Sequence, residues 1–254
     1  MKILPFLLGA LCAVSSFAMD EYLAIPEGAL EIRGDGTMFE YTGYYDDAGT
    51  RHDYDEIFSG SSFSPVFWSG RAQVKYGLAP GIDVEATWAA AVYEDENQNP
   101  KGMLAPTFGF KVTPPGLGVG LFVMVIPPLA TGDFDDGNQS ASFQGGALIR
   151  QQADVLRFTG SLSFTTNLDR DAGILSFLAK PEFLLSPNLG LILGVRGENQ
   201  FFSNEYRVIL LAPGFYAEPA PGLVVEFSAP FTVAGRRASS GWGAEISAGM
   251  RILP

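Results

Sequence analysis

Val155-Leu156-Arg157-Phe158-Thr159-Gly160-Ser161-Leu162-Ser163-Phe164-Thr165 decides the fold. Leu156, Phe158, Leu162 and Phe164 share one parity, and Arg157, Thr159, Ser161 and Ser163 share the other. Successive side chains of a strand point to opposite faces, so this segment separates an apolar face from a polar one.

The same alternation recurs on both sides of that stretch. Val66, Trp68, Ala72, Val74 and Tyr76 oppose Ser69, Arg71, Gln73 and Lys75. Ile82, Val84, Ala86 and Trp88 oppose Asp83, Glu85 and Thr87, and Phe108, Phe110 and Val112 oppose Thr107 and Lys111. Val225, Phe227 and Phe231 oppose Glu226, Ser228 and Thr232, and the last segment sets Trp242, Ile246, Met250 and Ile252 against Glu245, Ser247 and Arg251. Two stretches blur the pattern. Leu117–Val125 is apolar or glycine on both parities, and Leu30–Tyr45 reads as changing face around Gly34-Asp35-Gly36, where a bulge is expected.

The connections fall into two kinds. Leu78–Gly81, Thr113–Gly116, Ser186–Asn188 and Glu218–Gly222 are short and rich in Pro and Gly. Asp46–Glu56, Glu94–Lys101, Thr131–Ser140, Asn167–Ala172 and Glu198–Asn204 are longer and mostly acidic, and Ala234–Gly241 is basic through Arg236 and Arg237. Alternating short turns and long loops is the habit of an outer-membrane barrel. The expected fold is therefore all-β, a closed antiparallel transmembrane barrel of about twelve strands, an even number that leaves both termini in the periplasm. The expected strands are 28–44, 62–77, 81–93, 102–113, 116–129, 141–151, 154–165, 173–184, 189–197, 205–217, 222–233 and 241–252. A soluble sandwich also alternates. Aromatic residues near segment ends favour the barrel, since interfacial girdles need them: Phe67, Trp68, Tyr76, Phe110, Phe183, Tyr216, Phe231 and Trp242.

The N-terminus carries its own signal. Lys2 is followed by the apolar run Ile3–Val14 and then by the small residues Ser16 and Ala18. That pattern reads as a cleaved signal peptide over 1–18, with the barrel occupying 19–254. The only cysteine of the chain, Cys12, lies in this segment behind Leu11, so removal rather than lipidation is expected. A mature chain without a thiol has no disulfide and no cysteine-based metal or nucleophilic site.

Placing the polar parity inside fills the lumen with Arg33, Arg71, Lys75, Lys111, Arg157, Lys180, Arg196, Arg207 and Arg251. Glu31, Asp83, Glu85, Glu182, Glu205, Glu226 and Glu245 join them. The signs nearly cancel, so the formal charge of −12 arises mostly from the loops. A tight turn at Leu78–Gly81 would set Lys75 against Asp83 and Gln73 against Glu85 as cross-strand pairs. Such pairs brace the barrel, or they line a path for small solutes that is not strongly ion-selective.

Catalysis finds little support. His52 is the only histidine, and no nucleophile stands beside it, so the expectation is no enzyme and no catalytic residue. Thr131–Asn138 departs from a calcium loop because no Glu closes it. No metal or other cofactor is expected, and the acidic loops would repel nucleic acid.

Four stretches support a comparison: Gly43-Tyr44-Tyr45-Asp46-Asp47-Ala48-Gly49-Thr50-Arg51; Lys75-Tyr76-Gly77-Leu78-Ala79-Pro80-Gly81-Ile82-Asp83-Val84; Pro213-Gly214-Phe215-Tyr216; and Ala234-Gly235-Arg236-Arg237-Ala238-Ser239-Ser240-Gly241-Trp242. In order and spacing they resemble the outer-membrane transporter family named for the meta-pathway of phenol degradation. The resemblance implies a porin-like barrel of the Gram-negative envelope that passes small, hydrophobic or aromatic solutes. Outer-membrane lipids, lipopolysaccharide and the barrel-assembly machinery would be its partners. The alternative is a structural or surface-interaction barrel with a plugged lumen. The chain ends Arg251-Ile252-Leu253-Pro254 and lacks the terminal aromatic residue common among such barrels.

Overall fold

A computed structural model describes residues 24–54, 64–94, 99–134, 140–167, 170–202 and 205–254. The expected signal peptide lies outside them, as do residues 135–139 of the expected acidic loop Thr131–Ser140. The strands are β1 (Leu30–Tyr45), β2 (Arg51–Asp53), β3 (Val66–Ala79), β4 (Ile82–Glu94), β5 (Lys101–Val112), β6 (Val119–Ile126), β7 (Ser142–Ala153), β8 (Leu156–Asn167), β9 (Arg170–Ser186), β10 (Leu189–Phe202), β11 (Arg207–Ala220), β12 (Leu223–Ser228), β13 (Phe231–Arg236) and β14 (Ala238–Ile252). One 3₁₀ turn, Gly132–Phe134, follows β6.

Each long strand pairs antiparallel with its sequence neighbour, and β14 pairs with β1 from Leu30↔Ile252 to Tyr45↔Ala238, closing the sheet. Strands β12 and β13 are two halves of one wall strand. Both pair with β11 and β14, and Ala229-Pro230 interrupts them because proline has no N–H to give the ladder. Strand β2 is a short extension of the β1 edge beyond the wall. The wall is therefore a closed antiparallel barrel of twelve strands.

Closure is what makes the alternation meaningful. Leu156, Phe158, Leu162 and Phe164 face outward and are exposed, whereas Thr159 and Ser163 are buried inside. The outward face is aliphatic and aromatic around the barrel, with Leu121 at 63%, Leu162 at 54% and Ile246 at 57% exposure. Water would not tolerate so continuous an apolar surface, and lipid would.

A two-residue turn follows β3. Pro80-Gly81 joins Ala79 to Ile82, and Gly81 adopts φ +74. Thr113 N–H donates to the Gly81 carbonyl at 2.7 Å. This turn corrects an expected register. Lys75 faces Glu85, Gly77 faces Asp83 and Gln73 faces Thr87. The two-residue turn and a bulge at Gly77/Ala79 displace the ladder by two residues.

Other boundaries also shift. Strands β8 and β9 run to Asn167 and from Arg170, β10 extends to Phe202, and only Arg237, at φ +50, separates β13 from β14. Three of the expected long loops are thus largely strand. In β1 the register holds through Gly34–Gly36, and the irregularity against β14 falls at Thr42, between Tyr41 and Gly43. Strand β6 resolves with Gly120, Phe122 and Met124 inward and Leu121, Val123 and Val125 outward. Both its faces are apolar because Phe122, Met124 and Leu148 form an inward apolar patch.

Candidate functional site in the barrel lumen

The inner face reads as three zones from the short-turn end to the loop end. At the short-turn end Lys75 Nζ lies 3.3 Å from Glu31, and Arg251 donates to Glu31 at 2.8 Å. Lys111 Nζ lies 3.0 Å from Asp83. The segment before β1 folds under these pairs. Ile25, 2% exposed, points its N–H at both Asp83 carboxylate oxygens, 3.3 and 3.4 Å away. Hydrogen bonds between Gly28 and Gly77, and between Gly77 and Ala29, pin this strap to β3. Nearby, Arg157 bonds Glu182 at 2.9 Å and lies 5.1 Å over the Tyr216 ring.

The middle zone is a belt of charge. Arg33 donates to Ser247 at 2.7 Å and to Asp35 at 3.1 Å, and Arg71 reaches the same Asp35 at 2.8 Å. Glu226 bridges Arg33 at 3.3 Å and Lys180 at 3.1 Å, which ties β12 to β1 and to β9. Arg196 bonds Glu245 at 2.6 Å, and Glu245 also accepts from the Ser228 hydroxyl at 2.9 Å. In a partly dehydrated lumen these charge-assisted bonds are stronger than in bulk water. Among them lies a cavity of about 100 Å³, lined by Arg71, Thr87, Thr107, Lys180, Arg196 and Glu226.

Toward the loop end the lining turns apolar. Phe39, Tyr41, Phe67, Ala91, Tyr93, Val208, Leu210 and Ala238 form one buried cluster, with Tyr54, Leu104, Phe134 and Tyr206 packed against it. Phe39 and Tyr41 stack with centroids 5.1 Å apart, and Tyr41 and Tyr93 with centroids 6.2 Å apart. Such tilted pairs add to what burial contributes. Beside them Glu198, 1% exposed, accepts from the Tyr206 hydroxyl at 2.9 Å.

Above the cluster the rim is held by side chains of the first and last loops. Asp46 accepts from the Ala48 and Thr50 N–H groups at 2.8 Å each and lies 3.0 Å from His52 Nε2. The His52 hydrogen bond, with those backbone donors, holds the Asp46 carboxyl below the ordinary aspartate range. Arg237 grips Asp47 through Nε and through Nη2, the latter at 2.9 Å, which lowers Asp47 and raises Arg237.

The inner face thus holds Arg33, Arg71, Lys75, Asp83, Glu85, Lys111, Arg157, Lys180, Glu182, Arg196, Glu226, Glu245 and Arg251. Arg207 does not belong with them. Val208 occupies the inner cluster, so Arg207 alternates away from the lumen and lies exposed at the loop end, opposite Arg236. Glu205 precedes β11 and is exposed. Two girdle candidates turn inward instead. Phe67 is 1% exposed within the aromatic cluster, and Tyr216 is 4% exposed, its ring lying over Gly190 where a Cβ would collide with it. Trp68, Tyr76, Phe110, Phe183, Phe231 and Trp242 face outward.

The aromatic cluster is the feature that sequence reading passed over. Its signal was present in the phase: Phe39 and Tyr41 continue the parity of Arg33 and Asp35, Phe67 that of Arg71, and Tyr93 that of Asp83 and Glu85.

No family model and no curated sequence matches the chain. Solved structures do resemble it. The COG4313 outer membrane channel from Pseudomonas putida F1 aligns with TM-score 0.68 at 11% identity, covering 92% of this chain and 99% of that one. The translocator domain of the autotransporter NalP from Neisseria meningitidis aligns with TM-score 0.55 at 9% identity, covering 95% and 93%. At such identities the likeness is one of fold: the chain has the architecture of an outer-membrane barrel.

Proposed function

We propose that the chain is an outer-membrane channel for small hydrophobic or aromatic solutes, with its short turns and both termini in the periplasm. The aromatic cluster inside the loop end carries this reading. Packed Phe and Tyr rings at the loop end, above a charged belt, offer a dilute apolar solute arriving from outside an apolar surface before it meets the charges. The resemblance to the transporter family named for phenol degradation and the likeness to the P. putida channel agree with it. Outer-membrane lipid, lipopolysaccharide on the outer leaflet and the barrel-assembly machinery are its proposed partners, and residues 1–18 its proposed export signal. No catalytic role is assigned: His52 sits on β2 at the rim against Asp46.

The alternative is a plugged barrel that works through its loops. The small cavity and the strap at Ile25 favour it. Single-channel recording on purified protein in planar bilayers separates the two. Channel openings that apolar aromatic solutes modulate support passage, and a silent barrel overturns it in favour of the plugged reading.

A further inference from the structure

Thr87 and Thr107 face each other across β4 and β5 on the inner wall, and both line the cavity of the charged belt. Thr87 is 5% exposed, and neither hydroxyl oxygen has a hydrogen-bond partner. A buried hydroxyl without a partner is costly, and here two stand side by side. The strand beyond them supplies no relief. Between Thr107 and Leu104 the β5 ladder slips by one residue past Ala105-Pro106, and proline donates nothing.

The rest of the cavity is differently equipped. Its cations are engaged: Arg33 and Arg71 with Asp35, Lys180 with Glu226, and Arg196 with Glu245. Its wall also carries the neutral polar Thr37, Ser69 and Gln73, and the apolar Leu104, Leu178 and Ile192, of which Leu104 also packs against the aromatic cluster above. A charged solute would have to displace an ion-pair partner from the belt. An uncharged polar group needs only the two hydroxyls, each able to donate and to accept. One staggered step about the threonine Cα–Cβ bond carries the hydroxyl into the place the methyl held, so a ligand can recruit it by a change of rotamer alone.

We propose that Thr87 and Thr107 form a binding subsite for the uncharged hydroxyl or carbonyl group of a small amphipathic solute, whose apolar body lies along Leu104 toward the aromatic cluster. This rests on the channel reading and adds the class of molecule it takes: neutral, part apolar, with one hydrogen-bonding head.

Benzyl alcohol, ethylbenzene and benzoate test it, because they share a ring and differ in the head. Binding to the purified full chain in detergent is read by ligand-observed NMR for the wild type, for T87V/T107V and for T87S/T107S. The valine pair is isosteric and removes two unpartnered hydroxyls, so it is expected to fold, as heat-modifiable gel mobility reports. Benzyl alcohol affinity should fall about tenfold in T87V/T107V and stay within about twofold in T87S/T107S. Ethylbenzene should be indifferent to the valines, and benzoate should bind the wild type about tenfold more weakly than benzyl alcohol. Equal benzyl alcohol affinity in the wild type and T87V/T107V, benzoate binding as tightly as the alcohol, or no alcohol binding at all would each overturn the subsite. A conducting barrel whose binding ignores the threonines sinks the subsite and leaves the channel, whereas a silent barrel with threonine-dependent binding sinks the channel alone.

Discussion

Glu226 is the residue on which the belt turns, because one carboxylate holds Arg33 and Lys180 from two different strands. In Glu226→Gln the shape remains and the charge goes. Both cations then face the passage with less compensation, so selectivity should move toward anions and the barrel should lose about 1–3 kcal/mol. Reversal potentials in a salt gradient and denaturant unfolding in detergent read the two effects. Asp46 offers a pH test at the rim. Its folded pKa is lowered, so its contribution is full above the ordinary aspartate value and is lost as pH falls through the lowered one. The turn 46–53 should stay protected from neutral pH down to about pH 4 and open below that. Amide exchange corrected for intrinsic rates would show this, and Asp46→Ala, which has no side-chain acceptor for Ala48 and Thr50, should be open at every pH.

Among the elements, the turns carry the register. Gly81 needs its positive φ, and a Cβ there would collide with the Thr113 carbonyl oxygen. Gly81→Ala should therefore cost more than about 1 kcal/mol and lower the yield of heat-modifiable, folded barrel. The strands themselves were legible from alternation, as β8 shows, since its outward and inward sets match the parity of Leu156 and Arg157. What parity could not give was the meaning of an inward apolar residue. Phe67 and Tyr216 look like girdle residues because an aromatic near a strand end usually faces lipid. Their phase with Arg71 and with Ala212 says otherwise. Arg207 was misplaced for the mirror reason, since a charge at a strand end faces water on either side of a wall. Strand β6 stayed ambiguous because both its faces are apolar, and only its pairing with β5 and β7 decides between them.

For the molecule as a whole, the outward apolar belt and the closed ladder leave one solvent for the wall. Removing detergent from the purified chain should cause aggregation, as light scattering would register; a monodisperse, folded protein in plain buffer would be incompatible with the bilayer assignment. The strap at the short-turn end should limit passage. Ile25→Asp sets a second carboxylate against Asp83 in a buried place, so the strap should leave and conductance should rise about twofold or more over the wild type in planar bilayers.

The mixed belt also bears on how such a pore could be governed. One elementary charge carried across a full membrane potential feels about 2.3 kcal/mol per 100 mV. Arg33, Arg71, Lys180 and Arg196 stand beside Asp35, Glu226 and Glu245, so a field pulling the guanidinium and ammonium groups one way pushes their carboxylate neighbours the other. The opposing forces leave little net torque on the constriction. Electrical polarity is then a poor trigger for this barrel, and on the proposed channel reading a solute reaching the belt from the aromatic side is the stimulus left to move it.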